Sequence, residues 1–150
     1  MYKPAYNKNT FPFWTELQIR YRDLDTLNHV NNALFSTYFE EARIRFIQEI
    51  PEFLASMRES NSFVIVNLEI NFIEPVTYPS ILLAGSGISE FGNSSVTGFQ
   101  AIYDLDSKAL KAVAKSTGVW FNTKLKKPVR LPSLPEKEKY LVQMSSQSNG

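Results

Sequence analysis

The stretch Arg20–Arg43, RYRDLDTLNHVNNALFSTYFEEAR, changes its periodicity half-way along, and that change decides the fold. Its first half is rich in turn and cap formers, with Asp23, Asp25 and Asn28 among them. From Asn31 onward, and on to Ile50, the apolar spacing becomes helical. Phe35, Tyr38, Phe39, Ala42, Phe46 and Ile47 fall on one broad apolar face. Glu40, Glu41, Arg43, Arg45 and Gln48 are the polar positions, and Glu41 stands four residues before Arg45, a favourable pairing. Asn31 or Asn32 suits the N-cap, because its side-chain oxygen can accept an unpaired backbone N–H. Roughly 18 residues at 1.5 Å each predict a helix of about 27 Å, long enough to cross a sheet. Pro51 ends that helix or starts a short extra turn through Met57.

Strands surround this helix. Phe13–Tyr21 reads as a strand, whereas residues 1–12, with Pro4 and Pro12, hold little pattern. Further strands are expected at Phe63–Phe72, Ile81–Phe91, Ser95–Leu105 and Ala109–Asn122. Phe99 falls out of step with the alternation of its strand. Glu74–Ser80, Gly92–Asn93 and Asp106–Lys108 read as turns, and Gly85 and Gly87 signal a bulge or a close backbone approach. Lys124–Pro135 reads as an extended tail and Gln143–Gly150 as disordered. Strands joined by short turns imply an antiparallel sheet, and the helix must bury its apolar face on it. The expectation is an α+β fold, a sheet wrapped around one long central helix. It occupies a single domain at 1–135, with 136–150 as a partly disordered tail.

Composition narrows the chemistry. The chain has 150 residues, 43% apolar and 21% charged, with a formal charge of +1, which gives no global case for nucleic-acid or membrane binding. It has no cysteine, so a disulfide framework and thiolate metal sites are excluded. No apolar run approaches the ~20 residues of a membrane helix, and MYKPAYNKNTFPFW lacks a signal-peptide core, so a cytoplasmic protein without membrane insertion is expected. There is one histidine, His29, and no G-x-S-x-G, which leaves carboxylates as the expected acid–base groups. Asp23, Asp25, His29 and the helix start lie within a short span. Together they can supply a base, a hydrogen-bonding partner and an oxyanion site for acyl transfer. Taken alone, Asp25 reads equally well as an Asx-turn aspartate.

The ordered motifs Tyr21-Arg22-Asp23-Leu24-Asp25, His29-Val30-Asn31-Asn32 and Tyr38-Phe39-Glu40-Glu41-Ala42-Arg43 resemble the hotdog-fold acyl-CoA thioesterases. The group is the 4-hydroxybenzoyl-CoA thioesterase-like one, which includes long-chain acyl-CoA thioesterases. Asn71-Phe72-Ile73-Glu74-Pro75-Val76, Gly92-Asn93-Ser94-Ser95, Val119-Trp120-Phe121-Asn122 and Lys127-Pro128 extend the resemblance over residues 14–132. Two positions depart from it: Asn28 stands where glycine is common, and Pro79-Ser80 where Gly-Asp is common.

The resemblance implies a hotdog fold, an antiparallel five-stranded sheet around the helix. It implies that Asp25 is the catalytic carboxylate, as base on water or as nucleophile on a fatty or aromatic acyl-CoA thioester. Asp23, His29 and Asn31 become supporting or substrate-orienting residues, and the backbone N–H groups of Asn32 and Ala33 the oxyanion site. Coenzyme A is then part of the substrate and no cofactor or metal is needed; an acyl-carrier-protein thioester is the other substrate to consider. Lys108, Lys111, Lys115, Lys124, Lys126, Lys127 and Arg130 offer charge for coenzyme A phosphates, or form a solvated face. A homodimer or a tetramer of dimers is expected, with Asp25 facing the other chain near Phe63–Asn67. A hotdog enoyl-CoA hydratase or dehydratase and a non-catalytic acyl-binding module are the competing readings.

Overall fold

The computed structural model describes residues 1–144. Helix α1 (Phe35–Gln48) buries Phe35, Tyr38, Phe39, Ala42, Phe46 and Ile47, the same six residues that the helical spacing marks as apolar. It starts later than expected, because a single 3-10 turn, Asn32–Leu34, precedes it. Its 14 residues therefore span about 21 Å. A short helix α2 (Pro51–Met57) follows. Proline suits its first position, where no backbone N–H is needed and φ is already helical.

Six strands form one antiparallel sheet: β1 (Phe13–Gln18), β2 (Asn61–Phe72), β3 (Ile81–Phe91), β4 (Ser95–Asp104), β5 (Leu110–Asn122) and the two-residue β6 (Lys127–Pro128). The order is β1-β3-β4-β5-β2, with β6 beside the end of β5. β3, β4 and β5 are consecutive hairpin partners, as expected. β2 and β3 are not partners, which corrects the reading of Glu74–Ser80 as a simple turn between neighbours. β2 pairs with β5 from Asn61 to Phe72 and takes one sheet edge, while β1 occupies the free side of β3. The 74–80 segment thus carries the chain from an edge to the middle of the sheet. The expected extended tail Lys124–Pro135 begins instead with a turn at Thr123–Lys126, with Lys126 at φ 56°, and Lys127–Pro128 then pairs back on β5 as a strand.

The sheet curls around α1. On its inner face, Leu82, Ala84, Ile102, Ala112 and Ala114 pack with Phe39 and Ala42. Small side chains under the middle of the helix let it approach the sheet closely. The outer face is buried too. Phe99, Ala101, Tyr103 and Val113 pack there with Phe11, joined by Tyr2, Tyr6 and Trp14. The Tyr103 hydroxyl donates to the Pro4 carbonyl at 2.8 Å, and Trp14 Nε1 donates to the Lys8 carbonyl at 3.0 Å. Residues 1–12 therefore lack regular strands or helices but form a strap across the sheet. Phe99 is in step with Ala101 and Tyr103 on the outer face, and the residue out of step is Val96, which packs with Phe46 and Ile47. Apolar residues occupy both faces because both faces of β4 are covered.

Packed structure also continues past residue 135. A 3-10 turn spans Lys137–Tyr140, Tyr140 and Val142 are buried, and the Val142 N–H donates to the Ile88 carbonyl at 2.9 Å. Of the segment expected to be disordered, residues 145–150 lie outside the described residues. Gly85 and Gly87 mark close approaches rather than the bulge, which falls between Ile88 and Glu90. A side chain on Gly85 would overlap the Phe11 ring, and one on Gly87 would meet Val142 and Pro12. Among the described residues, no helix is long and apolar enough to cross a membrane.

Gly85→Val should therefore prise the 1–12 strap off the sheet. The expected loss is about 1–3 kcal/mol, the range for overpacking a filled site. Denaturant unfolding together with limited proteolysis in residues 1–12 measures it.

Candidate active site

The loop between β1 and α1 is built around Asp23, which is 2% exposed. Its Oδ2 accepts from the Arg20 N–H at 3.0 Å and from the Tyr38 hydroxyl at 2.7 Å. Its Oδ1 accepts from Arg20 Nε at 3.2 Å, and Arg20 Nη2 lies 3.1 Å away. Burial by itself would raise this carboxyl. The Arg20 N–H, the Tyr38 hydroxyl and the Arg20 guanidinium outweigh it and hold the group below its ordinary 3.8. The Tyr38 phenol is pushed well above its usual value, first by burial and then by Asp23. The Asp23 carbonyl accepts from the Asn31 N–H at 2.9 Å, which pins the far end of the loop as well.

Asp25 points the other way and is exposed. Its Oδ1 accepts from the backbone N–H groups of Leu27 at 2.8 Å and His29 at 3.3 Å. Its N–H donates to the His29 carbonyl at 2.7 Å. Its Oδ2 accepts no hydrogen bond among the described residues. The carboxylate is thus oriented by one oxygen and available through the other. Asn28 closes this turn at φ 62°, a left-handed backbone that asparagine tolerates better than most residues. The loop therefore keeps its shape with Asn28 in place of glycine.

Asp25, His29 and Asn32 share a cavity of about 280 Å³ with Phe35, Phe72 and Val76. Asn31 lies beside it and is occupied as the cap: its Oδ1 accepts from the Ala33 N–H at 2.9 Å. This corrects the expectation that both Asn32 and Ala33 present free N–H groups, since the cap consumes that of Ala33. The Asn32 N–H, at the first position of the turn, has no acceptor among the described residues. Helix starts leave such donors unpaired, and the backbone dipoles add positive potential there. Glu74 also borders the cavity and pairs with Lys111 at 3.2 Å. Glu41 pairs with Arg45 at 3.6 Å on the solvent side of α1. Of the other cations of the 108–130 segment, Lys108 precedes β5, Lys115 lies on it, and Lys124, Lys126, Lys127 and Arg130 follow it. Among the described residues, no group of three His, Asp or Glu could hold a metal ion.

A family model described as the Thioesterase-like superfamily matches residues 19–138, from the start of this loop to beyond β6. The chain belongs to that superfamily. The long-chain acyl-CoA thioesterase FadM of Escherichia coli is 30% identical over 81 residues, which is 54% of this chain and 61% of FadM. The chloroplastic acyl-acyl carrier protein thioesterase ATL2 of Arabidopsis thaliana is 29% identical over 119 residues, 79% of this chain and 63% of ATL2. The chain thus spans less than two thirds of either curated relative. A Thermus thermophilus thioesterase, solved with coenzyme A and zinc, superposes with a TM-score of 0.70 at 30% identity, over 87% of this chain and 92% of that one. The fold is therefore the hotdog of this superfamily.

The Arg20 and Tyr38 partners of Asp23 were not singled out from the sequence. A tyrosine on an apolar helix face was a usable signal, because a buried phenol needs a polar partner. As for linkage, Asp23 binds fewer protons folded than unfolded, because its folded value is lowered. Its stabilisation is present above the ordinary 3.8 and is lost as pH falls through the lowered folded value. Asp23→Asn should flatten the acid limb of the stability–pH curve. It should also cost about 1–3 kcal/mol at neutral pH, by leaving Arg20 and Tyr38 poorly partnered. Thermal unfolding from neutral to strongly acid pH checks both effects.

Proposed function

We propose that this protein is an acyl-CoA thioesterase with Asp25 as its catalytic carboxylate. One observation carries the reading: the unpartnered Oδ2 of Asp25 shares a cavity with the unpaired Asn32 N–H at a helix start, in a chain of the thioesterase-like superfamily. In hydrolysis, water or Asp25 itself attacks the thioester carbonyl. The carbonyl oxygen gains negative charge, which the Asn32 N–H and the helix start stabilise. The C–S bond then breaks and the thiol leaves with a proton. Attack by water gives the free acid directly, whereas attack by Asp25 leaves an acyl anhydride on its carboxylate, which a water then hydrolyses to the free acid and restored Asp25. A thiolate is a good leaving group, so one carboxylate and one oxyanion donor can suffice. His29, on the cavity wall, orients the thioester.

The second wall comes from a second copy of the chain. Among the described residues the outer edge of β2 is unpaired, and Val64, Val66, Leu68 and Phe72 are exposed along it, Val66 at 60%. Free edges of this kind pair with other strands. If β2 pairs with itself about its midpoint, Asn61 lies opposite Phe72 and Phe63 opposite Ile70. That brings the Phe63 end of one β2 to the Asp25 loop of the other. It also brings Lys124, Lys126 and Lys127, beside the start of β2, within range of coenzyme A phosphates. The 1–12 strap covers the other face of the sheet, which favours the dimer over a tetramer of dimers. The similarity to ATL2, an acyl-acyl carrier protein thioesterase, makes acyl-carrier-protein thioesters the second class to assay. The absence of cysteine suits work in the reducing cytoplasm.

Asp25→Asn keeps the acceptor for Leu27 and His29 but removes the charge. Thiol release from an acyl-CoA panel should then fall by a factor of about a hundred to ten thousand, with the melting temperature nearly unchanged. Full activity in this variant would end the proposed role. A single turnover in heavy-oxygen water tests for direct attack: label in the Asp25 carboxylate requires an acyl anhydride on that residue, which base catalysis never forms.

A further inference from the structure

A second cavity, of about 260 Å³, lies between α1 and the inner face of the sheet. Its room comes from small residues on three neighbouring strands: Ser86, Gly98, Ser116 and Gly118. Phe46, Ile47, Met57 and Phe63 make most of it apolar. Glu40, Ser62, Ser86 and Ser116 also border it, and two further polar side chains, Gln100 and Arg43, have incomplete hydrogen bonding. Gln100 is 3% exposed, and its Nε2 donates to the Phe39 carbonyl at 3.0 Å and to Ser86 Oγ at 2.9 Å. A carbonyl only accepts, so the amide nitrogen must face the helix. Gln100 Oε1 is thereby left buried with no donor. Arg43, one helical turn beyond Phe39, is half-buried, and its Nη1 is buried with no acceptor. Burial lowers its pKa despite the opposing charge of Glu40.

Buried polar atoms without partners are rare in folded proteins and call for an explanation. Here a missing donor and a missing acceptor belong to two side chains that line one mostly apolar cavity. A hydroxyl group offers both, and a methylene offers neither. The volume lies just under the lower end of ligand pockets, ~300 Å³, which is too small to enclose a long chain. We infer that this cavity receives the acyl group of the substrate and selects a short- or medium-chain acyl group that carries a hydroxyl. The inference rests on the thioesterase reading, because self-pairing of β2 would set this cavity beside the Asp25 loop of the other copy.

The test compares octanoyl-CoA with octanoyl-CoA hydroxylated at successive carbons, in the wild type, Gln100→Met and Arg43→Met. The best hydroxylated isomer should exceed octanoyl-CoA in kcat/KM by about tenfold or more. Either substitution should abolish that preference while octanoyl-CoA is still hydrolysed. If Gln100→Met fails to fold, Arg43→Met carries the comparison. Calorimetric binding of octanoic acid and its hydroxylated isomers to the wild type reads the cavity without turnover, and the hydroxylated acids should bind more tightly. Equal rates and equal binding with and without the hydroxyl would overturn the inference, as would a preference that survives both substitutions. Hydrolysis of no member of the panel would instead sink the thioesterase reading, and the binding comparison would then decide the cavity by itself.

Discussion

The site depends on one buried carboxylate. Asp23 sits at 2% exposure and stays ionised only because the Arg20 backbone, the Arg20 guanidinium and the Tyr38 hydroxyl all donate to it. Charge-assisted hydrogen bonds of this kind offset the desolvation of a buried ion. Tyr38 belongs to α1, so the same carboxylate ties the end of β1 to the central helix. Its carbonyl holds Asn31, so both ends of the intervening loop are anchored. Remove that carboxylate and the end of β1 loses its side-chain tie to the central helix.

Two carboxylates two residues apart are thereby given opposite environments. Asp23 faces inward and is saturated with donors. Asp25 faces a cavity, with one oxygen held by Leu27 and His29 and the other unengaged. Environment rather than residue type separates a scaffold group from a reactive one. The same economy holds at the helix start. Asn31 spends its side chain on the Ala33 N–H, and the donor next to it, on Asn32, stays unpaired.

The strand β2 links this site to the rest of the molecule. The Asp25 cavity touches its Phe72 end, and the apolar cavity under α1 touches its Phe63 end. In one chain the two lie a strand length apart. Antiparallel pairing of β2 with itself would bring the end of one against the opposite end of the other, which gives the unpaired edge a purpose.

Sequence by itself determined the elements that periodicity records. Six apolar residues at helical spacing marked the buried face of α1, and runs of β-branched and aromatic residues marked the strands to within a few positions. The motifs around Asp25 pointed to the superfamily, because spacing along a loop is a local property. Tertiary structure alone decided which strands pair: nothing in 74–80 shows that β2 goes to an edge while β3 enters the middle. It also decided that residues 1–12 cover the sheet, that the Asn31 cap takes the Ala33 N–H, and that Gln100 and Arg43 line one cavity. Each of these joins residues far apart in the chain or depends on the orientation of a single side chain. A pattern of apolar and polar residues records how deeply a position is buried, but not which distant group buries it.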